Sequence, residues 1–164
     1  MDRQRLQAAL MMHPDSDLDC DFCQIVTREE PAREVLRTDK VVAFFPLDPA
    51  TLGHTLVIPR EHIPDLWSLD DQTARDLTDA TLRIARAIRA AIPLDGLNII
   101  QSNGEAATQT VFHLHVHVVP RRADDAMGPI WPAETHWSDM DKNDVQDRIR
   151  ATLTSGAGEQ DGAP

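Results

Sequence analysis

The sequence predicts one domain in which several short β-strands and one long helix share a core. Three observations carry this. Short aliphatic runs are separated by proline, glycine and aspartate, and one uninterrupted helical periodicity occupies residues 70 to 91. The chain has 164 residues, enough for one core but not for two ordinary domains.

Residues 2 to 12 have helical composition, and the stretch from His13 is acidic and turn-like. Residues 1–17 are therefore expected to be a peripheral helix and linker, with the domain proper over 18–153. Glu34 to Thr38 and Lys40 to Phe45 have strand character with a turn at Asp39, the pattern of a hairpin. Prolines and a glycine make 46–53 a loop, and His54 to Pro59 is the next strand. Ser68 or Asp70 can cap a helix running to about Ala91, closed by Pro93. Leu77, Ile84 and Ile88 recur at its inward spacing, and Arg75, Asp79, Arg83 and Arg86 fall on its solvated face. Leu97 to Ser102 reads as a strand. The loop Asn103 to Thr110 is rich in small hydrogen-bond donors, which suits an anion or an ordinary turn equally. A loop over 127–132, a helix over Asp139 to Leu153 and a disordered tail over 154–164 complete the chain.

Composition limits the function. A net charge of −11 opposes binding to the phosphate backbone of nucleic acids, while a small phosphorylated ligand can still be held by local amides and imidazoles. No long apolar run suggests a membrane span, and residues 1–12 carry charges without the apolar core of a signal peptide, so a cytoplasmic location is expected. Cys20 and Cys23 are too few for a disulfide scaffold. Their Cys-X-X-Cys spacing leaves a metal site and a free thiol pair both open.

The chemistry concentrates in Phe112-His113-Leu114-His115-Val116-His117-Val118-Val119-Pro120. Two-residue alternation is the strand period, so the three histidines are expected on one face and Leu114, Val116 and Val118 on the other. With seven histidines in the chain, chance gives such a triplet in about one protein in a hundred. A solvated tract has no reason to alternate with aliphatics, and three buried histidines would each need a partner. A His-X-His zinc site remains possible. At about 3.3 Å per residue, however, the outer rings lie roughly 13 Å apart, so one ion cannot gather all three. Imidazole at neutral pH is a nucleophile and a proton carrier, and phosphoryl transfer can use both.

His113 to Val119 resembles the His-φ-His-φ-His-φ-φ signature of the histidine triad (HIT) superfamily, in its bacterial Hint-like branch. The resemblance covers about residues 18–122. It includes Gly53-His54-Thr-Leu-Val-Ile-Pro followed by Glu61-His62-Ile, and Asn103-Gly104-Glu leading through Gln109-Thr110-Val to His113. It implies an α+β fold: a curved antiparallel sheet of about five strands, one long helix and a C-terminal helix, paired as a homodimer. It also implies a nucleotide hydrolase that passes a nucleoside 5′-monophosphate through a covalent intermediate. The catalytic set would be His113, His115, His117 and His54, with His115 as nucleophile and His117 and His54 beside the phosphate and leaving group. Gln109 and Thr110 would offer donors, Ser102 and Asn103 would flank them, and Phe22, Ile25, Phe44 and Leu47 would line the base pocket, a purine being favoured. Cys20, Cys23, His62 and His113 would hold a structural zinc, and no organic cofactor is implied. A nucleotidyltransferase or phosphorylase, a His-X-His zinc enzyme and a nucleotide-binding adaptor are the rival readings. Two positions depart from the family pattern: Pro46 stands where an acidic or amide side chain usually meets the ribose, and Thr108 stands where glycine precedes Gln109.

Overall fold

The structure is a computed structural model and describes residues 20–28 and 30–156. The helix and linker expected over 1–17 lie outside these residues. The described chain divides into two compact units, the first ending at Met127 and the second beginning at Gly128.

The first unit is α+β. Its elements are α1 (Asp21–Thr27), β1 (Arg33–Arg37), β2 (Val41–Phe45), β3 (Thr55–Pro59), α2 (Asp71–Ala91), β4 (Gly96–Gln101) and β5 (Val116–Arg121). The five strands form one sheet in the order β1-β2-β3-β5-β4, with every neighbouring pair antiparallel. The last strand in sequence thus enters between two earlier ones. The hairpin and the third and fourth strands occur where expected, within a residue or two. Helix α1, to which the sequence assigned no element, ends where Arg28 turns left-handed and caps the carbonyls of Gln24 and Ile25. Seven residues are too few for a helical period to show.

Both faces of the central strands are covered, so they read as continuous aliphatic runs and not as alternation. Val41, Ala43, Val57 and Val118 pack on one side against Leu77, Ala80, Ile84 and Ile88 of α2. On the other side Val42, Phe44, Leu56 and Ile58 pack against Phe22 of α1. Asp70 is the cap of α2, its carboxylate accepting from the amides of Gln72 and Thr73.

The histidine run departs from the expected strand. β5 begins only at Val116, so His113 and His115 precede it. The cause is local: the carbonyl of His113 accepts from the His115 ring (2.7 Å), and the amide of Leu114 donates to Ile63 (2.6 Å). The Leu114 amide is thereby spent outside the strand ladder, and the His113 carbonyl is turned toward a ring. Leu114 and Val118 still face the α2 core as the alternation requires.

The second unit carries α3 (Asp139–Gly156), three residues longer than expected, with Thr154 and Ser155 donating to carbonyls one turn back. The rest of the expected tail lies outside the described residues. No helix among the described residues is long and apolar enough to cross a membrane.

The turn before β3 needs glycine. Gly53 has φ +95°, and a Cβ there would lie 2.8 Å from Ile92 Cδ1 and 3.2 Å from Pro120 Cγ. Gly53→Ala should destabilise the protein by about 2 kcal/mol through combined strain and crowding. Thermal denaturation of the two proteins measures this, and equal midpoints would contradict it.

Candidate active site

The site lies on the face of the sheet that carries α1. His117 sits on β5 between Leu56 of β3 and Ile100 of β4. Its ring is centred 4.9 Å from that of His115 and 5.2 Å from that of His54, which stands at the entry to β3. Phe22 meets His115 edge-on at 5.3 Å. Three of the four expected catalytic histidines are thereby brought together. The fourth, His113, is fully buried and turns toward the cysteines.

The hydrogen bonds fix which nitrogen of each ring carries its proton. His115 Nδ1 lies 2.7 Å from the carbonyl of His113, which only accepts, so Nδ1 is the protonated nitrogen and the Nε2 lone pair is free. The amide of Ala50 donates to His54 Nδ1 (3.1 Å), which leaves the His54 proton on Nε2. That proton is donated to His117 Nδ1 (2.9 Å), and His117 in turn carries its own proton on Nε2. The result is one bare nitrogen beside one N–H donor.

Burial keeps these rings neutral. His115 is pushed below the ordinary histidine value by desolvation, partly offset by its bond to the His113 carbonyl. His54 is lowered by burial and by the nearby His115. His117 is lowered furthest, to about 4, by burial and then by the charges that His115 and His54 would carry. Among the described residues, no carboxylate bonds to any of these three rings.

The other expected residues separate into two groups. Phe22, Ile25 and Phe44 belong to one apolar cluster beside His115, the Phe22 and Phe44 rings meeting edge-on at 5.5 Å. Leu47 is 88% exposed and stands outside that cluster. In the approach loop, Gln109 is buried and gives both amide hydrogens to the carbonyls of Pro64 (2.7 Å) and Val111 (3.1 Å). Its Oε1 accepts from the amide of Gly104 (2.8 Å). Gln109 therefore braces this loop, and Thr110 is the exposed hydroxyl beside it. Asn103 accepts from the amide of Leu66 (2.7 Å) and exchanges hydrogen bonds with Gln101; Ser102 is half-buried next to it. Thr108 adopts φ 70°, a left-handed conformation unusual for a β-branched residue.

Cys20, Cys23, His62 and His113 form a separate four-donor cluster, with their ligand atoms all within 4.8 Å of one another. A tetrahedral zinc site has donor-to-donor edges of about 3.3–3.8 Å. The observed separations fit: Cys20 Sγ to His113 Nδ1 is 3.5 Å, Cys23 Sγ to His113 Nδ1 is 3.5 Å and Cys23 Sγ to His62 Nδ1 is 3.3 Å. The carbonyl of Pro59 accepts from His113 Nε2 (2.9 Å), which fixes the Nδ1 lone pair toward the sulfurs. The four residues could hold a metal ion.

The residues that sequence reasoning missed act through the backbone. Ala50, Pro59 and the carbonyl of His113 orient three rings, and no side-chain pattern announces them. Thr51 helps to hold the Ala50 loop, donating to the carbonyl of Pro120 (2.7 Å).

A family model described as the HIT domain matches residues 27–124. The chain is 40% identical over 128 residues to Protein hit of Bacillus subtilis, covering 77% of this chain and 87% of that one. It is 38% identical over 128 residues to the adenosine 5′-monophosphoramidase HNT1 of Saccharomyces cerevisiae, covering 77% of each. A zinc-bound histidine triad family protein from Mycobacterium smegmatis shares the fold with a TM-score of 0.65 and 34% identity, covering 87% of this chain and 99% of that one. On this evidence of sequence, fold and site, the chain belongs to the HIT family.

Proposed function

We propose that this protein is a nucleotide hydrolase that releases a nucleoside 5′-monophosphate through a nucleotidyl-His115 intermediate. The observation that carries this is the free Nε2 lone pair of His115, held by its Nδ1–H bond to the His113 carbonyl and kept neutral by burial. In the first step Nε2 bonds to the α-phosphorus as the bond to the leaving group breaks, and the leaving group departs with a proton drawn from solvent. The positive charge left on the ring is steadied by the His113 carbonyl. In the second step water attacks phosphorus, the nitrogen–phosphorus bond breaks, and a proton returns to solvent. His117 Nε2–H donates to a phosphoryl oxygen throughout. Thr110, Ser102 and Asn103 would offer further donors to the same anion.

The apolar cluster of Phe22, Ile25 and Phe44 suits a purine base. The name of the yeast relative supports an adenosine phosphoramidate as substrate. Zinc is the ion that the two thiols and two imidazoles fit best, and in a closed four-ligand site its part is structural. Two cysteines that face imidazoles and form no disulfide favour a reducing compartment such as the cytoplasm. The edge strand β4, with Ile99 half exposed, is the edge through which a second copy would pair to form a homodimer.

Three outcomes are expected. His115→Asn should lose turnover of adenosine 5′-phosphoramidate by at least about a thousandfold, and mass spectrometry of quenched reactions should lose the nucleotidyl adduct. Full activity in that variant would end the proposal. A strong chelator should lower Tm by about 5 °C or more while the adduct still forms on folded protein; an unchanged Tm would argue against the structural metal. Stability should fall as pH drops from about 6.5 toward 4, because the unfolded chain then takes up protons that native His117 refuses. His117→Asn should flatten that decline, and parallel Tm-against-pH curves for the two proteins would refute it.

A further inference from the structure

A donor aimed at a phosphoryl oxygen is useful only if its proton stays on the outward nitrogen. His117 can exist in two neutral tautomers. With the proton on Nε2 it donates to an anionic oxygen, and with the proton on Nδ1 it presents a lone pair that repels that oxygen. Serine-hydrolase sites make this choice with a carboxylate behind the imidazole, but none bonds to the His54–His117 pair among the described residues. The groups around the pair are sparse. Leu56 and Ile100 flank His117 across the sheet, His115 is the titratable neighbour on its face, and the loop carrying Ala50 contributes one charged residue, the exposed Asp48.

What stands behind the pair is a backbone amide. Ala50 N–H points at His54 Nδ1 at 3.1 Å, and His54 Nε2 lies 2.9 Å from His117 Nδ1. While the bond between the rings is kept, each alternative state of the pair puts a proton on His54 Nδ1. The reversed neutral tautomer does so, because His54 Nε2 must then accept from His117. A protonated pair does so whichever ring carries the charge. Every such state sets an N–H against the Ala50 N–H and forfeits its hydrogen bond.

We propose that Ala50 is a positioning residue whose backbone amide locks the His54–His117 pair into a single neutral tautomer, making His117 a fixed donor to phosphate and not a proton store. This deepens the hydrolase reading above and rests on it for the identity of the anion. The loop is built to hold the amide in place. His54 N–H donates to the Thr51 carbonyl (3.0 Å), and the Thr51 hydroxyl ties the loop to Pro120 at the end of β5. The lowered proton affinity of both rings agrees with a pair that has no comfortable site for a second proton.

The test replaces Ala50 by lactic acid in the full-length chain, so that an ester oxygen stands where the N–H was. Ala50→Pro, which also lacks the N–H, and Ala50→Gly, which keeps it, complete the set. Ring nitrogen chemical shifts of His54 and His117 are followed against pH without nucleotide, and kcat/KM for adenosine 5′-phosphoramidate is measured beside them. In the parent and in Ala50→Gly, both rings should carry the proton on Nε2. In the ester and Ala50→Pro proteins the pair should titrate about one pH unit higher, a tenfold change in proton affinity. Part of His117 should then move its proton to Nδ1, and kcat/KM should fall about tenfold. A parent His54 protonated on Nδ1, or ring titrations unchanged in the ester protein despite a lower Tm, would overturn the lock. The nitrogen spectra decide this even if no phosphoramidate is turned over, so failure of the lock and failure of the hydrolase reading are told apart.

Discussion

The hydrogen bond from His115 Nδ1 to the carbonyl of His113 is the contact on which the rest of the site depends. It is short, buried and made inside one tripeptide, so it fixes ring orientation and tautomer at small cost in chain entropy. Its acceptor is itself anchored on several sides. His113 is fully buried, its Nε2 is bonded to Pro59, its Nδ1 faces two sulfurs, and the next amide is bonded to Ile63. One residue thus joins the four-donor cluster to the reactive ring. What stiffens the cluster also stiffens the nucleophile.

Much of this was legible in the sequence, because side-chain pattern records side-chain work. The 3.6-residue spacing of Leu77, Ile84 and Ile88 marked α2, the aliphatic runs marked β2 and β3, and the histidine alternation marked the reactive face. The four-donor cluster was legible only through resemblance, since its members are spread over 93 residues. The start of β5 was misplaced, because a ring hydrogen-bonding its own backbone leaves no periodic trace. The same blindness hid Ala50 and Pro59, whose contributions are an amide and a carbonyl that any residue, or any but proline, could supply.

Gln109 shows how a polar residue in a site can serve the scaffold. Its buried amide closes the loop on itself through Gly104 and fastens it to Pro64. That brace holds Thr108 in a conformation that costs a non-glycine residue roughly 1–2 kcal/mol. Strain of this size persists only where the surroundings over-determine the backbone. In this chain the loop keeps its shape with a threonine at that left-handed position, where the family resemblance leads one to expect glycine, and the residue adds a hydroxyl there.

The strand order has a consequence for how the molecule is made. β4 has β5 as its one neighbour, and the outer edge of β3 is filled by β5 as well. A nascent chain that has emerged only as far as β4 can assemble β1, β2, β3 and α2, but it holds two bare edges and an orphan strand. Closing the gap requires a late, long-range pairing, the kind that slows folding and exposes intermediates to aggregation. The same insertion delivers the reactive imidazoles, so the sheet is finished and the centre assembled in one event.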